Sequence, residues 1–336
     1  MQARARARLS CGVTPHQHSH VPVLLREAIE LIDPRPEETV IDCTAGLGGH
    51  ASAMAERLGA TGTVVLMDLD PLNLEVAATR VRALPNGPRV VAWHGSFSEV
   101  GMRMRKGMEG LTGGVRITPA DVVLADLGFA SGQVDDAKRG FSFMREGPLD
   151  MRLNPGSPIT AAELVNTMPE GDLSRLIREL GEEPPEVARR IAQKVVQERK
   201  SGPIQTTVRL AEIVRAAVGA ARAHASSIHP ATRTFQALRI AVNDEIGSLE
   251  HLLESVDRAA TAAAAGKETW LAPGARIGII SFHSLEDRPV KQGFAGLVER
   301  GLAEPVTKKP ITASDAEVEA NPRARSAKLR VIRLQG

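Results

Sequence analysis

The chain contains no tyrosine, and its aromatic residues are limited to two tryptophans and seven phenylalanines. Side chains able to stack on a base or an adenine ring are therefore few, and each can be weighed by its position. Cysteine is scarcer still. Cys11 falls in the N-terminal segment and Cys43 in a predicted strand, a pair unsuited to a structural disulfide, so a reducing cytoplasm is the expected setting. There is no run of about 18 apolar residues, which excludes a transmembrane helix on length. The opening MQARARARLSCG is basic and lacks the apolar stretch of a secretory signal. Residues 1–19 read as a flexible basic tail carrying Arg4, Arg6 and Arg8. His16, His18 and His20 alternate there as a spacer rather than a ligand set, and no metal is expected.

What the chain does have is the composition of an ordinary globular protein, 43% hydrophobic and 24% charged over 336 residues, a length that favours two domains. The net charge of +2 conceals segregation. Residues 138–240 carry 16 basic and 11 acidic groups, and the last sixteen residues carry Arg323, Arg325, Lys328, Arg330 and Arg333 without an acid. Local positive charge beside an acidic remainder suits a polyanionic partner, because phosphate binding depends on local rather than net charge.

Along the chain, Thr39–Asp42, Thr63–Asp68, Arg89–Trp93 and Asp121–Asp126 are short, nearly continuous apolar runs, with helix candidates at Ala51–Leu58 and Leu72–Leu84 between them. That alternation predicts a parallel sheet covered on both faces. From about Asp135 the strand signals stop. Leu173, Leu176, Ile177 and Leu180 follow helical spacing, as do Val187, Ile191 and Val195, and Thr207 is placed to cap a third helix on Leu210, Ile213, Val214 and Val218. Phe235, Leu238, Val242, Ile246, Leu249 and Leu253 predict one long helix. Strand signals return at Arg276–Ser281 and Lys328–Leu334, and Gly301–Arg325 reads as a surface excursion.

The strongest chemical signal is Val40-Ile41-Asp42-Cys43-Thr44-Ala45-Gly46-Leu47-Gly48-Gly49-His50-Ala51. Gly46, Gly48 and Ala51 fit G-x-G-x-x-G/A between a strand and a helix, a turn in which backbone can approach a ligand closely. Roughly twenty residues on, Asp68 ends the second strand, where a carboxylate can take both hydroxyls of a ribose. Asp70, just before Pro71, suits helix capping instead. A nucleoside cofactor follows. Nicotinamide dehydrogenases share these parts, but three features favour a methyl donor. Asp42 precedes the glycines and suits a cationic amino-acid tail. Asp126-Leu127-Gly128-Phe129 is reminiscent of the D-P-P-Y-type motif of amino-methyltransferases. Long helices then stand where a dehydrogenase would continue its second half.

Further segments make the resemblance specific: His20-Val21-Pro22-Val23-Leu24, Arg139-Gly140-Phe141-Ser142-Phe143, Gly147-Pro148-Leu149-Asp150-Met151-Arg152 and Ala231-Thr232-Arg233-Thr234-Phe235-Gln236-Ala237-Leu238-Arg239. Ser281-Phe282-His283-Ser284-Leu285-Glu286-Asp287-Arg288 and Asn321-Pro322-Arg323-Ala324-Arg325-Ser326 complete the set. With the glycine loop and Asp126-Leu127-Gly128 they run in order over nearly the whole chain from His20. The chain thus resembles the 16S ribosomal RNA cytosine-N(4) methyltransferase family, also called RsmH or MraW. It departs from the family pattern at Ala130-Ser131-Gly132, at Pro184-Pro185 and at Pro289.

The resemblance implies an α/β fold, a class I (Rossmann-like) methyltransferase sheet with an inserted all-helical domain. The expected boundaries are 20–134 and 233–336 for the S-adenosylmethionine-binding domain and 135–232 for the helical substrate-recognition insertion. It implies that Gly48, Gly49, His50, Asp68, Phe97, Asp126 and Gln133 contact S-adenosylmethionine, with Phe97 against the adenine face. The implied reaction is methylation of the exocyclic amine of the decoding-centre cytosine in 16S rRNA within the small ribosomal subunit. Asp126 is the catalytic candidate, either accepting a hydrogen bond from the amine or only positioning the cofactor. A target base must leave its stack to react. Arg139, Arg145, Arg152 and Arg233 are candidates for the RNA backbone, with partnership to Glu146 or Asp150 as the plainer reading. Phe282 and His283 are candidates for the base, His283 serving otherwise in a structural hydrogen bond. Phe141 and Phe143 suit the insertion core better. Assembly stays open, a homodimer included. The rival readings are a methyltransferase for another RNA or a protein amine, a nonenzymatic RNA-binding assembly factor, and a dehydrogenase.

Overall fold

Strand runs that are apolar on every residue can only be stable when both faces are covered, and the sheet shows this residue by residue. The computed structural model describes residues 22–110, 112, 114, 116–129, 131–219 and 229–336, so the expected tail at 1–19 lies outside the described residues. Eight strands form one sheet: β1 (Thr39–Asp42), β2 (Thr63–Asp68), β3 (Arg89–His94), β4 (Ala120–Asp126), β5 (Leu271–Ser281), β6 (Ala303–Pro305), β7 (Ile311–Thr312) and β8 (Lys328–Leu334). The order is β3-β2-β1-β4-β5-β8-β6, with β7 paired to β8. Neighbours among β1 to β5 are parallel, and β8 runs antiparallel to β5. This is the Rossmann-like α/β sheet that the sequence predicts.

Successive residues point to opposite faces. Val40, Val64, Leu66, Val122 and Leu124 join a cluster with Ile32, Met54 and Ala77. Their neighbours Ile41, Val65, Met67, Val123 and Ala125 join another with Met104, Leu252, Val256 and Phe294. The first face is covered by α1 (Leu25–Ile32), α2 (Gly49–Leu58) and α3 (Pro71–Arg82). Helix α4 (Val100–Glu109) contributes Val100 and Met104 to the second. Each fully buried side chain such as Ile41 or Leu66 contributes about 1.5–3 kcal/mol to holding these layers.

Between β4 and β5 run α5 (Ser131–Asp135), α6 (Ala161–Thr167), α7 (Glu170–Leu180), α8 (Pro185–Glu198), α9 (Thr207–Val218), α10 (Thr232–Asn243) and α11 (Glu245–Ala264). Leu149, Ile177, Ile191, Leu210, Phe235 and Leu238 bury a third cluster of their own. The helical unit therefore extends past residue 232 to take in α10. The single long helix predicted from Phe235 to Leu253 is two helices, broken at Asp244, whose φ of 49° and ψ of 46° are left-handed. The spacing of apolar residues continues through the break because both halves carry a stripe, but the stripes face different cores. Phe235 and Leu238 face the helical cluster, while Leu249 and Val256 face the sheet.

Thr206, not Thr207, caps α9, its Oγ1 accepting from Arg209 N at 3.3 Å. Thr207 is buried and donates to the Arg145 carbonyl instead. The excursion after Gly301 holds two short strands and α12 (Ser284–Glu299) precedes it. Within the excursion, α13 (Asp315–Ala320) supplies Glu317, which accepts from Leu24 N at 2.7 Å.

Candidate active site

Parallel strands end on one edge of the sheet, and a ligand crevice forms there where the strand order reverses. In this chain the reversal lies between β1 and β4. A cavity of about 390 Å³ opens at that edge, within the size range of small-molecule sites. The sheet order places the loops after β2 and β3 on one side of it and those after β4 and β5 on the other.

At the first side, the turn from β1 to α2 is shaped by Gly46 at φ 51° and Gly48 at φ 80°. Gly46 N donates to Asp68 Oδ2 at 2.7 Å, and Asp70 N donates to Asp68 Oδ1 at 2.8 Å. Asp68 is thereby fixed at the tip of β2 with lone pairs left on both oxygens. Burial pushes its carboxyl up to about 6, against the pull of those two N–H groups. Asp70 caps α3 through Leu72 N at 3.0 Å, as its place before Pro71 predicts, and also binds Gln133 Nε2 at 3.0 Å and Arg139 Nη1 at 2.7 Å. Phe97 opens a short turn capped by Ser96 and lines the cavity.

Three carboxylates come together here, Asp126 and Glu286 lining the cavity and Asp42 buried behind its wall. Asp42 and Asp126 end β1 and β4, and Glu286 follows β5 in α12. Asp42 Oδ2 and Asp126 Oδ1 are buried with no hydrogen-bond partner among the described residues. Burial, and then the negative charges of Asp42 and Glu286, hold the Asp126 carboxyl well above its usual range. Burial and Asp68 raise Asp42 to about 7. Two buried carboxylate oxygens without partners are costly unless something positively charged meets them. His50 Nε2 lies 3.1 Å from the Val23 carbonyl oxygen, which makes that nitrogen the donor and turns Nδ1 toward Asp126 Oδ2 at 3.7 Å.

The far side is built from Phe129, Arg239, Asn243, Glu245, Phe282 and Glu286. Arg239 binds Glu245 through Nε at 2.8 Å and Nη2 at 2.7 Å, and its guanidinium carbon lies 4.6 Å from the Phe129 ring centroid. Glu286 accepts from Phe282 N at 2.7 Å and pairs with His283 Nε2 at 3.2 Å. Burial opposes ionisation of Glu286, but the hydrogen bond from His283 and the charge of Arg239 hold it below its usual value.

The cavity thus gathers Gly49, His50, Asp68, Phe97, Asp126, Gln133 and Phe282, with His283 paired to Glu286 beside it. Gly48 stands behind the wall, where an added Cβ would come 2.9 Å from Ala77 Cα. Arg139 is taken up by Asp70 and by the carbonyls of Arg152 and Leu153, and Arg152 by Asp150 and the Ser157 carbonyl. Arg145 and Arg233 lie on the exposed surface, Arg145 bonding the Asp135 carbonyl and Arg233 the Glu182 carbonyl. Phe143 packs edge-on to Phe235 at 4.9 Å, a core role, while Phe141 stacks on Phe129 at 5.9 Å. Arg239, Glu245 and Asn243 are absent from the residues that sequence reasoning singled out. Their one sequence signal is position, at the end of the Ala231–Arg239 segment and across the break at Asp244.

These parts define the class: a Rossmann-like methyltransferase that uses S-adenosylmethionine. The chain belongs to the MraW methylase family, whose model matches residues 17–335. It is 43% identical over 326 residues to the "Ribosomal RNA small subunit methyltransferase H" of Heliobacterium modesticaldum, covering 93% of this chain and 97% of that one. The protein of the same name from Symbiobacterium thermophilum is 44% identical over 332 residues, with 94% and 97% covered. That of Geobacter sulfurreducens is 44% identical over 329 residues, with 93% and 97% covered.

Proposed function

We propose that the chain transfers a methyl group from S-adenosylmethionine to the exocyclic amine, N(4), of the decoding-centre cytosine of 16S rRNA, acting in the cytoplasm on a nearly assembled small ribosomal subunit. The observation that carries the reading is Asp126. It lies in one continuous cavity between the Asp68 and Phe97 side and the Phe129, Arg239 and Phe282 side, with a buried oxygen that has no partner among the described residues.

S-adenosylmethionine supplies a methyl group already activated by its positive sulfur. Asp68 would hold the ribose hydroxyls, Phe97 would offer its face to the adenine, and Gly49, His50 and Gln133 would complete the cradle. Asp126, whose charged form is disfavoured in the protein alone, would gain a cationic neighbour when this ligand entered, and the buried Asp42 beside it would feel the same charge. An aromatic amine is a weak nucleophile because its lone pair is shared with the ring. The protein's task is therefore alignment, which can supply about 7–11 kcal/mol. Transfer would break the methyl–sulfur bond, leaving a neutral thioether, as the carbon–nitrogen bond formed. The amine would become acidic and give its proton to the Asp126 carboxylate that accepts its hydrogen bond. His50, pinned by the Val23 carbonyl, keeps the carboxyl in place.

Methyl transfer from labelled S-adenosylmethionine to undermethylated 30S particles, followed by mapping of the modified nucleotide, tests the reading. Label on the amine of the decoding-centre cytosine, lost in Asp126→Ala, is the expected result. Tight cofactor binding without transfer to the particle would move the acceptor elsewhere.

A further inference from the structure

The far wall of the cavity carries a donor group to which no role has been given. Arg239 uses Nε and Nη2 to bind Glu245, and Nη2 also lies 3.5 Å from His283 Nε2. Its Nη1 makes no hydrogen bond among the described residues, while the side chain lines the cavity. The guanidinium cannot turn away. Glu245 holds one edge in a bidentate pair, the Phe129 ring lies under its face at 4.6 Å, and the pair is largely buried, the two side chains being 13% and 11% exposed. A guanidinium so held presents its remaining N–H groups in a fixed direction.

Glu245, His283 and Glu286 also bring potential ligand atoms within 4.8 Å of one another. A cation is not needed there, because Arg239 already supplies positive charge beside all three.

We propose that Arg239 is the residue that selects the target base, donating from Nη1 to the ring N3 and carbonyl O2 of cytosine while Asp126 accepts from its amine. The inference rests on the function proposed above. The chemistry is one of matched patterns. Cytosine offers a donor at the amine followed by two acceptors, and this wall offers an acceptor at Asp126 and donors at Arg239. Uracil reverses the first two positions and would set its N3–H against the guanidinium. Reading an extruded base by its pairing edge is the means by which base-modifying enzymes generally discriminate. Phe129 and Phe282 supply the apolar surroundings in which such hydrogen bonds count most.

The test combines a variant with an altered substrate. Arg239→Lys keeps a positive charge beside Glu245, so that acid is not left buried alone, but removes the planar fork. Particles reconstituted with 3-deazacytidine at the target nucleotide lack the N3 acceptor. Single-turnover transfer by the full-length protein is measured for both proteins on both particles, with S-adenosylmethionine affinity by calorimetry and Tm alongside. Arg239→Lys is expected to slow transfer to ordinary particles roughly 10- to 100-fold, leaving cofactor affinity and Tm close to wild type. The penalty for the deaza base is expected in wild type and absent in the variant. Transfer below detection with cofactor affinity and Tm intact also supports the assignment. An equal deaza penalty in both proteins, or losses of Tm and cofactor affinity that account for the slower rate, would make Arg239 a structural strut. If wild type places no methyl group on a cytosine amine of ordinary particles, the parent reading fails and this inference falls with it.

Discussion

Arg139 reaches across from the start of the helical unit to Asp70 at the tip of β2, with Nη1 2.7 Å from a carboxylate that is only 2% exposed. Arg139 Nη2 simultaneously donates to the carbonyls of Arg152 and Leu153. One guanidinium therefore fastens the first loop of the helical unit to the cofactor side of the sheet. The arrangement also holds Asp70 below its usual range: burial pushes the carboxyl up, but Gln133 and Arg139 together outweigh it. Arg139→Ala leaves that carboxylate without its charge partner and is expected to cost about 3 kcal/mol of stability, measured by chemical denaturation. Cofactor affinity should fall with it, because Gln133 shares Asp70 Oδ2.

The two strained glycines of the turn should respond differently to the same change. At Gly46 an added Cβ meets nothing closer than 3.8 Å, so Gly46→Ala pays only for its left-handed backbone, about 1–2 kcal/mol. At Gly48 the same backbone cost is joined by a clash with Ala77 in α3. Gly48→Ala is expected to destabilise by roughly 2–5 kcal/mol in all, separating α2 from α3. Comparing the Tm of the two variants checks this, and equal shifts would contradict it.

Asp42 and Asp68, raised by burial to about 7 and about 6, and Asp126, held by burial well above its usual range, fix the sign of a pH effect. Between the unfolded carboxyl range near 4 and these values, the native protein binds more protons than the unfolded chain. Their contribution to stability is thus complete below about pH 4 and is lost as pH rises through 6 and 7. A cationic cofactor favours the ionised forms, so its binding releases protons. Added S-adenosylmethionine is expected to raise Tm more at pH 8 than at pH 5.5, and calorimetry in buffers of different ionisation heat should detect the protons released.

Asp126→Asn keeps the shape of the side chain and removes its charge. Transfer is expected to fall about 100-fold or more, with cofactor affinity weakened far less. Parallel loss of both would assign Asp126 to cofactor positioning alone.

The glycine turn and the tip of β2 were legible in the sequence because their signals are local. Strands buried on both faces are apolar throughout, Asp68 ends one of them, and Gly46 and Gly48 sit at fixed offsets from another. The opposite side was legible only at Phe282, because the contacts that bring Arg239 to Phe129 and to His283 join distant segments. Arg152 pairs with Asp150, the neighbour its sequence offered as the plainer partner, whereas the Asp70 partner of Arg139 lies 69 residues away, where no local signal could point to it. Arg239 gave the same problem. Its role depends on the end of β5 and the bend at Asp244 meeting Phe129, which no spacing rule contains. The bend itself was hidden because the apolar stripe of α10 passes into that of α11 without a missed beat.

That bend separates inheritance from invention. Arg239 and Asn243 stand just before Asp244 and Glu245 just after it, and all three face the acceptor side of the cavity. The glycine turn and Asp68 belong to other strands. If the proposed roles hold, changes in the helices would remodel what is methylated while the glycine turn and Asp68 stayed untouched. A lineage could acquire a new acceptor by redrawing one wall of the cavity.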